Sequence, residues 1–185
     1  MKTWLSKGIL GVLLVAATYP AAVRAQSPDN DGCSDASLKG EYAFTISGQI
    51  FKPMSPVVTR EGVAITHFDG WGSLTQVDFV MQYPDMSGGS SQVPGSPDGD
   101  SFNTGETGSY TVYPDCTGIM EIDFPPVGAG GPVIQLRIVL SDGGRIINTE
   151  VLSVYPHGVG APSVPALIHS QGRKLKLPAD SRRDD

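Results

Sequence analysis

The chain has least of what a helix needs. Beyond residue 25 no stretch repeats apolar residues at the i, i+3, i+4 spacing of an amphipathic helix. Instead, 23 glycines and 15 prolines punctuate 185 residues, a composition that favours short strands and turns. Long apolar runs are missing too. The longest, Gly8 through Thr18, is about half the ~20 residues that a spanning helix requires, which excludes insertion by a membrane helix. Catalytic signatures are equally scarce. No G-x-S-x-G marks a nucleophile elbow, and no glycine loop with a lysine marks a phosphate cradle. His67, His157 and His169 are scattered, without the clustering of a zinc site. The acids of the leader Gln26–Gly32 have their glycine too early for a calcium loop, and no glutamate follows at the needed distance. The residues therefore imply no cofactor and no metal.

What is present begins with an export signal. Lys2 and Lys7 precede an apolar centre at Leu10 and Val12–Val15, and Ala21-Ala22-Val23-Arg24-Ala25 forms a small–x–small cleavage site. Residues 1–25 thus read as a signal peptide, and the mature chain as secreted or periplasmic. No small apolar box precedes Cys33, so a lipid anchor is not expected. Of 13 basic residues, Lys2, Lys7 and Arg24 fall in the signal, leaving about 10 against 19 acidic ones. An acidic surface repels phosphates, which excludes nucleic acid as a partner, and it favours solubility. Cys33 and Cys116 form an even pair in an oxidising compartment, where pairing is the rule. Closing so long a loop stabilises by ~4 kcal/mol. Two buried free thiols are the alternative.

The organisation is that of one domain. A polar leader, 26–37, carries Cys33; a β domain covers 38–177; a charged tail, 178–185, is expected to be disordered. Tyr42, Phe44, Ile46 and Ile50 alternate at period two, the pattern of a half-buried strand. Val57–Phe68 runs into Asp69-Gly70, a hairpin signal, and Leu74–Tyr83 alternates Val77, Phe79, Met81 and Tyr83 with polar neighbours. A long Ser/Gly/Pro/Asp loop spans Pro84–Gly105, either a lid or a tolerated insertion. Gly108–Phe124 forms the next hairpin, and Val133–Leu140 with Arg145–Tyr155 the clearest one. A two-residue Asp142-Gly143 turn sets Ile138 opposite Ile147, Arg137 opposite Asn148 and Gln135 opposite Glu150. Ala166–His169 and a weak segment through Leu175 and Leu177 complete the set. The pattern predicts an all-β, antiparallel up-and-down barrel of about seven to eight strands, with a β-sandwich as the alternative.

Three segments, Leu38–Tyr42 after Cys33, Phe68-Asp69-Gly70-Trp71-Gly72-Ser73-Leu74-Thr75 and Gly108–Gly118, resemble a group of secreted, mostly bacterial proteins of unassigned function. These share a leading cysteine, an F-D-G-x-G hairpin and a Y-T-V-x-x-D-C-T-G hairpin. The group is similar to small barrels of the allene-oxide-cyclase or calycin type. The resemblance covers roughly residues 33–155 and implies a barrel that binds a ligand or acts as a cofactor-independent cyclase or isomerase. The Pro84–Gly105 loop and the tail depart from it.

Candidate site residues are few. Gln135, Arg137, Asn148 and Glu150 share one face of the last clear hairpin, opposite Ile134, Leu136, Ile138, Ile147 and Val151. Lining a cavity, the quartet can orient a ligand carbonyl or carboxylate through the arginine fork; facing solvent, it is surface decoration. Trp71 in its turn can stack on a ligand at a barrel mouth or cap the core. Glu121 and Asp123 lie two apart on one strand, either an acid pair or a solvated face. His67 shares a face with Val63 and Ile65 and lacks a partner in the sequence. The leading expectation is a secreted barrel that binds a small apolar ligand. A cofactor-independent cyclase or isomerase is the alternative, and a ligand-free structural envelope module is the third. An interior packed with side chains marks the structural module. An open apolar cavity with a perturbed carboxylate marks binding or catalysis.

Overall fold

A computed structural model describes residues 32–51, 56–84, 89–93, 101–125, 131–160 and 162–176. The signal segment, most of the leader and the tail expected at 178–185 lie outside the described residues. Nine strands follow a 3-10 turn at Asp35–Leu38: β1 Gly40–Ile50, β2 Val58–Phe68, β3 Ser73–Tyr83, β4 Ser91–Val93, β5 Asn103–Val112, β6 Thr117–Asp123, β7 Val133–Ser141, β8 Ile146–Tyr155 and β9 Ala166–Lys174. They form one antiparallel sheet in the order β2-β1-β9-β8-β7-β6-β5-β3-β4, and β2 also pairs with β3. That pairing closes eight strands into an up-and-down barrel, as the alternation and turns predict. Closure removes the exposed edges that an open sheet of this size would present.

The ninth strand corrects the reading of Pro84–Gly105 as one loop. β4 pairs Val80 with Val93 on the β3 edge, beyond the point where β5 begins with Asn103 opposite Asp78. The two short partners together cover β3. The C-terminal reading also changes: β9 runs unbroken through Lys174, paired with both β1 and β8, so Leu175 follows a strand already complete.

One end of the barrel is closed by aromatic packing. Tyr42, Phe68 and Tyr110 meet edge to face, with centroids 5.3 and 5.0 Å apart, over fully buried Leu38 from the 3-10 turn. Ile138 and Ile147 fill the space between them and the wall. Each side chain of this size stabilises by ~1.5–3 kcal/mol when buried. Polar tips are satisfied at the rim: Tyr42 Oη donates to the Gly144 carbonyl, and Tyr110 Oη accepts from the Gly70 amide at 2.9 Å. Asp35 Oδ1 accepts from the Val112 amide at 2.7 Å. The Cys33–Cys116 disulfide joins the same end, with Cα atoms 4.9 Å apart. The leader is thus tied beneath the barrel at a turn in mid-chain.

The last clear hairpin turns differently from the two-residue reading. Ser141 pairs with Ile146, so Asp142-Gly143-Gly144-Arg145 form the turn, and residues 142–144 have φ of 51°, 61° and 80°. Gly144 is required: a Cβ there would lie 2.4 Å from the Ser37 carbonyl. Leu140 therefore faces Ile147 and Arg137 faces Glu150; a bulge beyond Leu136 brings Gln135 opposite Ser153. The shift is two residues, so inner and outer faces keep their membership.

Candidate functional site

A cavity of about 210 Å³ occupies the half of the barrel away from the aromatic closure. Most of its lining is apolar: Phe44, Ile50, Ile122, Leu136, Val151 and Ile168 among others. Gly172 makes room for one wall, because a Cβ there would meet the Phe44 ring at 2.5 Å. The cavity exceeds the ~150 Å³ apolar void that accommodates benzene in an engineered protein.

One wall breaks the apolar lining. Arg60 on β2 and Gln76 and Asp78 on β3 face the cavity, and Glu106 on β5 lies behind them. Asp78 is 2% exposed and Glu106 1%. Thr66 Oγ1 donates to Gln76 Oε1 at 2.8 Å, and Gln76 Nε2 donates to Glu106 Oε2 at 2.8 Å. Asn103 Nδ2 donates to Asp78 Oδ1 at 2.7 Å and to the Val93 carbonyl at 3.1 Å. β4 thereby braces the residue that orients Asp78.

Burial sets the electrostatics. Desolvation first, then the charge of Asp78, pushes the Glu106 carboxyl up to about 8. Desolvation also raises Asp78, against the opposing pull of Asn103, Glu106 and Arg60. Of the two neighbouring carboxyls, Glu106 is the one pushed far enough to hold its proton at neutral pH. This accounts for Glu106 Oε1, which is buried and accepts from no donor.

Arg60 is the unusual member. Its charge is attracted to Asp78, yet among the described residues no hydrogen bond or ion pair holds the guanidinium, and Nε is buried without an acceptor. Buried arginine is ordinarily paired. Its presence beside an apolar space leaves a donor aimed at whatever occupies that space.

The residues singled out from sequence lie elsewhere. Gln135, Arg137, Asn148 and Glu150 are all on the outer face, with Arg137, Asn148 and Glu150 exposed. Gln135 Nε2 donates to Glu121 Oε2 at 2.8 Å, and Asn148 Oδ1 accepts from Gln171 at 3.0 Å. The quartet does not line the interior; its apolar partners fill the barrel and leave the quartet outside. Trp71 is 85% exposed in the β2–β3 turn, at the aromatic end and so at the end opposite the cavity. Glu121 and Asp123 face outward, where burial and Glu121 raise the Asp123 carboxyl slightly. His67, His157 and His169 are exposed, and no metal-holding cluster occurs among the described residues.

Gln76 and Asp78 escape a reading that phases β3 on Val77, Phe79, Met81 and Tyr83; Arg60 on β2 and Glu106 on β5 carry no motif of their own. The structure inverts that phase. Leu74, Gln76, Asp78 and Val80 are buried, and Tyr83 is exposed. A signal was available: Phe68 and Leu74 face each other across the turn, and Leu74 has the parity of Gln76 and Asp78.

The fold and site thus define a closed antiparallel barrel with an apolar cavity and one acidic, arginine-bearing wall. No protein-family model matches the chain, and no curated protein matches it.

Proposed function

We propose that the protein is an exported binding barrel whose interior takes a small, mainly apolar ligand. The observation that carries this reading is the cavity of about 210 Å³ with its apolar lining. A purely structural barrel gains stability by filling such a space, since each unfilled methylene costs dispersion contacts. The export signal and the Cys33–Cys116 disulfide support an oxidising compartment. The resemblance to secreted barrels of the allene-oxide-cyclase or calycin type supports a ligand-holding interior.

The test is saturable binding of 1-aminonaphthalene, a small neutral fluorophore, followed by its blue shift. One site per chain is expected. Val151→Phe and Ala64→Leu, which grow into the cavity, should each weaken binding roughly tenfold, the scale of one or two methylenes in an apolar pocket. Absence of saturable binding, or unchanged binding in both filled variants, overturns the reading.

A further inference from the structure

We propose that the cavity is a proton-transfer site in which Asp78 acts as general base on an apolar carbon acid and Arg60 holds the negative charge that develops. The substrate class is an apolar ketone, above all one with a β,γ double bond. This inference rests on the cavity taking a ligand, and it goes further by assigning a chemistry to the polar wall.

Three observations carry it. First, Asp78 is nearly inaccessible and still lines the cavity, so its carboxylate meets a ligand and little water. A carboxylate stripped of water is a stronger base than one in solution. Second, Arg60 lines the same cavity without an ion pair or hydrogen bond among the described residues. An arginine present only to neutralise Asp78 would sit in contact with it. This one can donate to a ligand oxygen. Third, the wall sets unlike groups against each other: Arg60 is attracted to Asp78, and Glu106, pushed up to about 8 by burial and by Asp78, adds no charge at neutral pH. The ligand therefore need bring no charge, which suits an apolar cavity and disfavours a carboxylate beside Asp78.

The step balances without a cofactor. Asp78 takes the proton from the carbon between the carbonyl and the double bond. The C–H electron pair forms a new C=C bond, and the carbonyl π pair moves to oxygen, which rests against the Arg60 guanidinium. Asp78 then returns the same proton to the γ carbon. The oxygen lone pair reforms the carbonyl, the double bond ends conjugated, and Asp78 is a carboxylate again. Glu106 touches neither substrate nor reacting atoms; it is a positioning residue that, with Asn103, pulls the Asp78 carboxyl down against the desolvation that raises it.

The test uses 5-nitro-1,2-benzisoxazole, a compact carbon acid. Removal of its ring C–H proton by a base sends the C–H pair into a nitrile and the N–O pair onto a coloured phenolate. With the full mature chain, saturable turnover faster than an equal concentration of acetate is expected. Asp78→Asn should lose roughly 10²-fold or more, the usual contribution of a positioned base. Arg60→Met should lose roughly tenfold or more, as when a charge-stabilising donor is removed. Ala64→Leu, which touches no charge, should suppress turnover by occupying the space, and serves if Asp78→Asn does not fold. The proposal is overturned if protein that binds 1-aminonaphthalene, displaced by the benzisoxazole, turns it over no faster than acetate. A folded Asp78→Asn variant with an unchanged rate also overturns it. If wild-type protein binds neither compound, the ligand reading itself fails and takes this inference with it.

Discussion

The barrel has two walls built on the same period and filled differently. In β6, β7 and β8 the inner face is Met120, Ile122, Leu136, Ile138 and Val151, while Glu121, Arg137 and Glu150 face outward. In β2, β3 and β5 the inner face includes Arg60, Thr66, Gln76, Asp78 and Glu106, while Val63 and Ile65 are 45% and 42% exposed. Phe79 packs against Phe102 on that outer side, with ring centroids 5.9 Å apart. The first wall follows the hydrophobic effect; the second works against it. Burying carboxylates and an arginine costs several kcal/mol each before pairing repays part of it. A wall that buries charged and amide side chains among its apolar ones on three strands marks the place where selection favoured something other than stability.

The contrast can be broken at its strongest point first. Ile138→Ala on the conventional wall should destabilise by about 2–5 kcal/mol, since Ile138 is buried in the aromatic end with no way to collapse the void. Urea denaturation measures it; a loss under 1 kcal/mol would mean that the two walls are not energetically distinct.

The polar wall should instead show its cost as a pH dependence. Glu106 holds its proton up to about 8 in the fold, against an ordinary 4.5. Its contribution to stability is fully present below pH 4.5, declines as pH rises, and is gone above about 8. Desolvation first, then the charge of Asp78 on β3, sets the size of that decline; Arg60 on β2 is the other charged group of that wall. Glu106→Gln stays neutral and can still meet Gln76 and Asp78. Relative to wild type it should gain about 1–3 kcal/mol between pH 5 and pH 8.5, a small multiple of the 1.36 kcal/mol per pKa unit. Parallel denaturation curves for the two proteins would show that Glu106 is not the titrating group.

The smallest effect belongs to the outer side of that wall. Ile65→Lys should change stability by no more than about 0.5 kcal/mol, because the side chain is already in water. A large loss would show that the outer apolar residues of β2 and β3 are covered.

Architecture was readable and orientation was not. The turn residues at Asp69-Gly70 and Asp142–Gly144 and the alternation around Tyr42 and Ile138 were enough to predict an antiparallel barrel, because those signals are local. The two cysteines predicted a staple for a different reason, an even count in an exported chain. Which face of β3 lies inside is not local. It depends on the register with β2 and β5, where Asp78 meets Ala64 on one side and Asn103 on the other. Ranking faces by hydrophobicity selects Val77 and Phe79, and that choice hides Gln76 and Asp78. The quartet on β7 and β8 stood out for the mirror-image reason: polar residues are conspicuous where they are clustered outside. Glu106 lay in a stretch read as loop and start of hairpin, so no parity was assigned to it.

The knot of aromatic rings over Leu38, pinned by the Cys33–Cys116 bond, has a kinetic corollary. It makes the barrel a cup and not a pipe. Among the described residues the aromatic end is closed, so a ligand of the proposed kind would load and unload past the side where Ile50, Pro132 and Pro156 border the cavity. A bulky change on that side should slow both directions alike and leave affinity untouched.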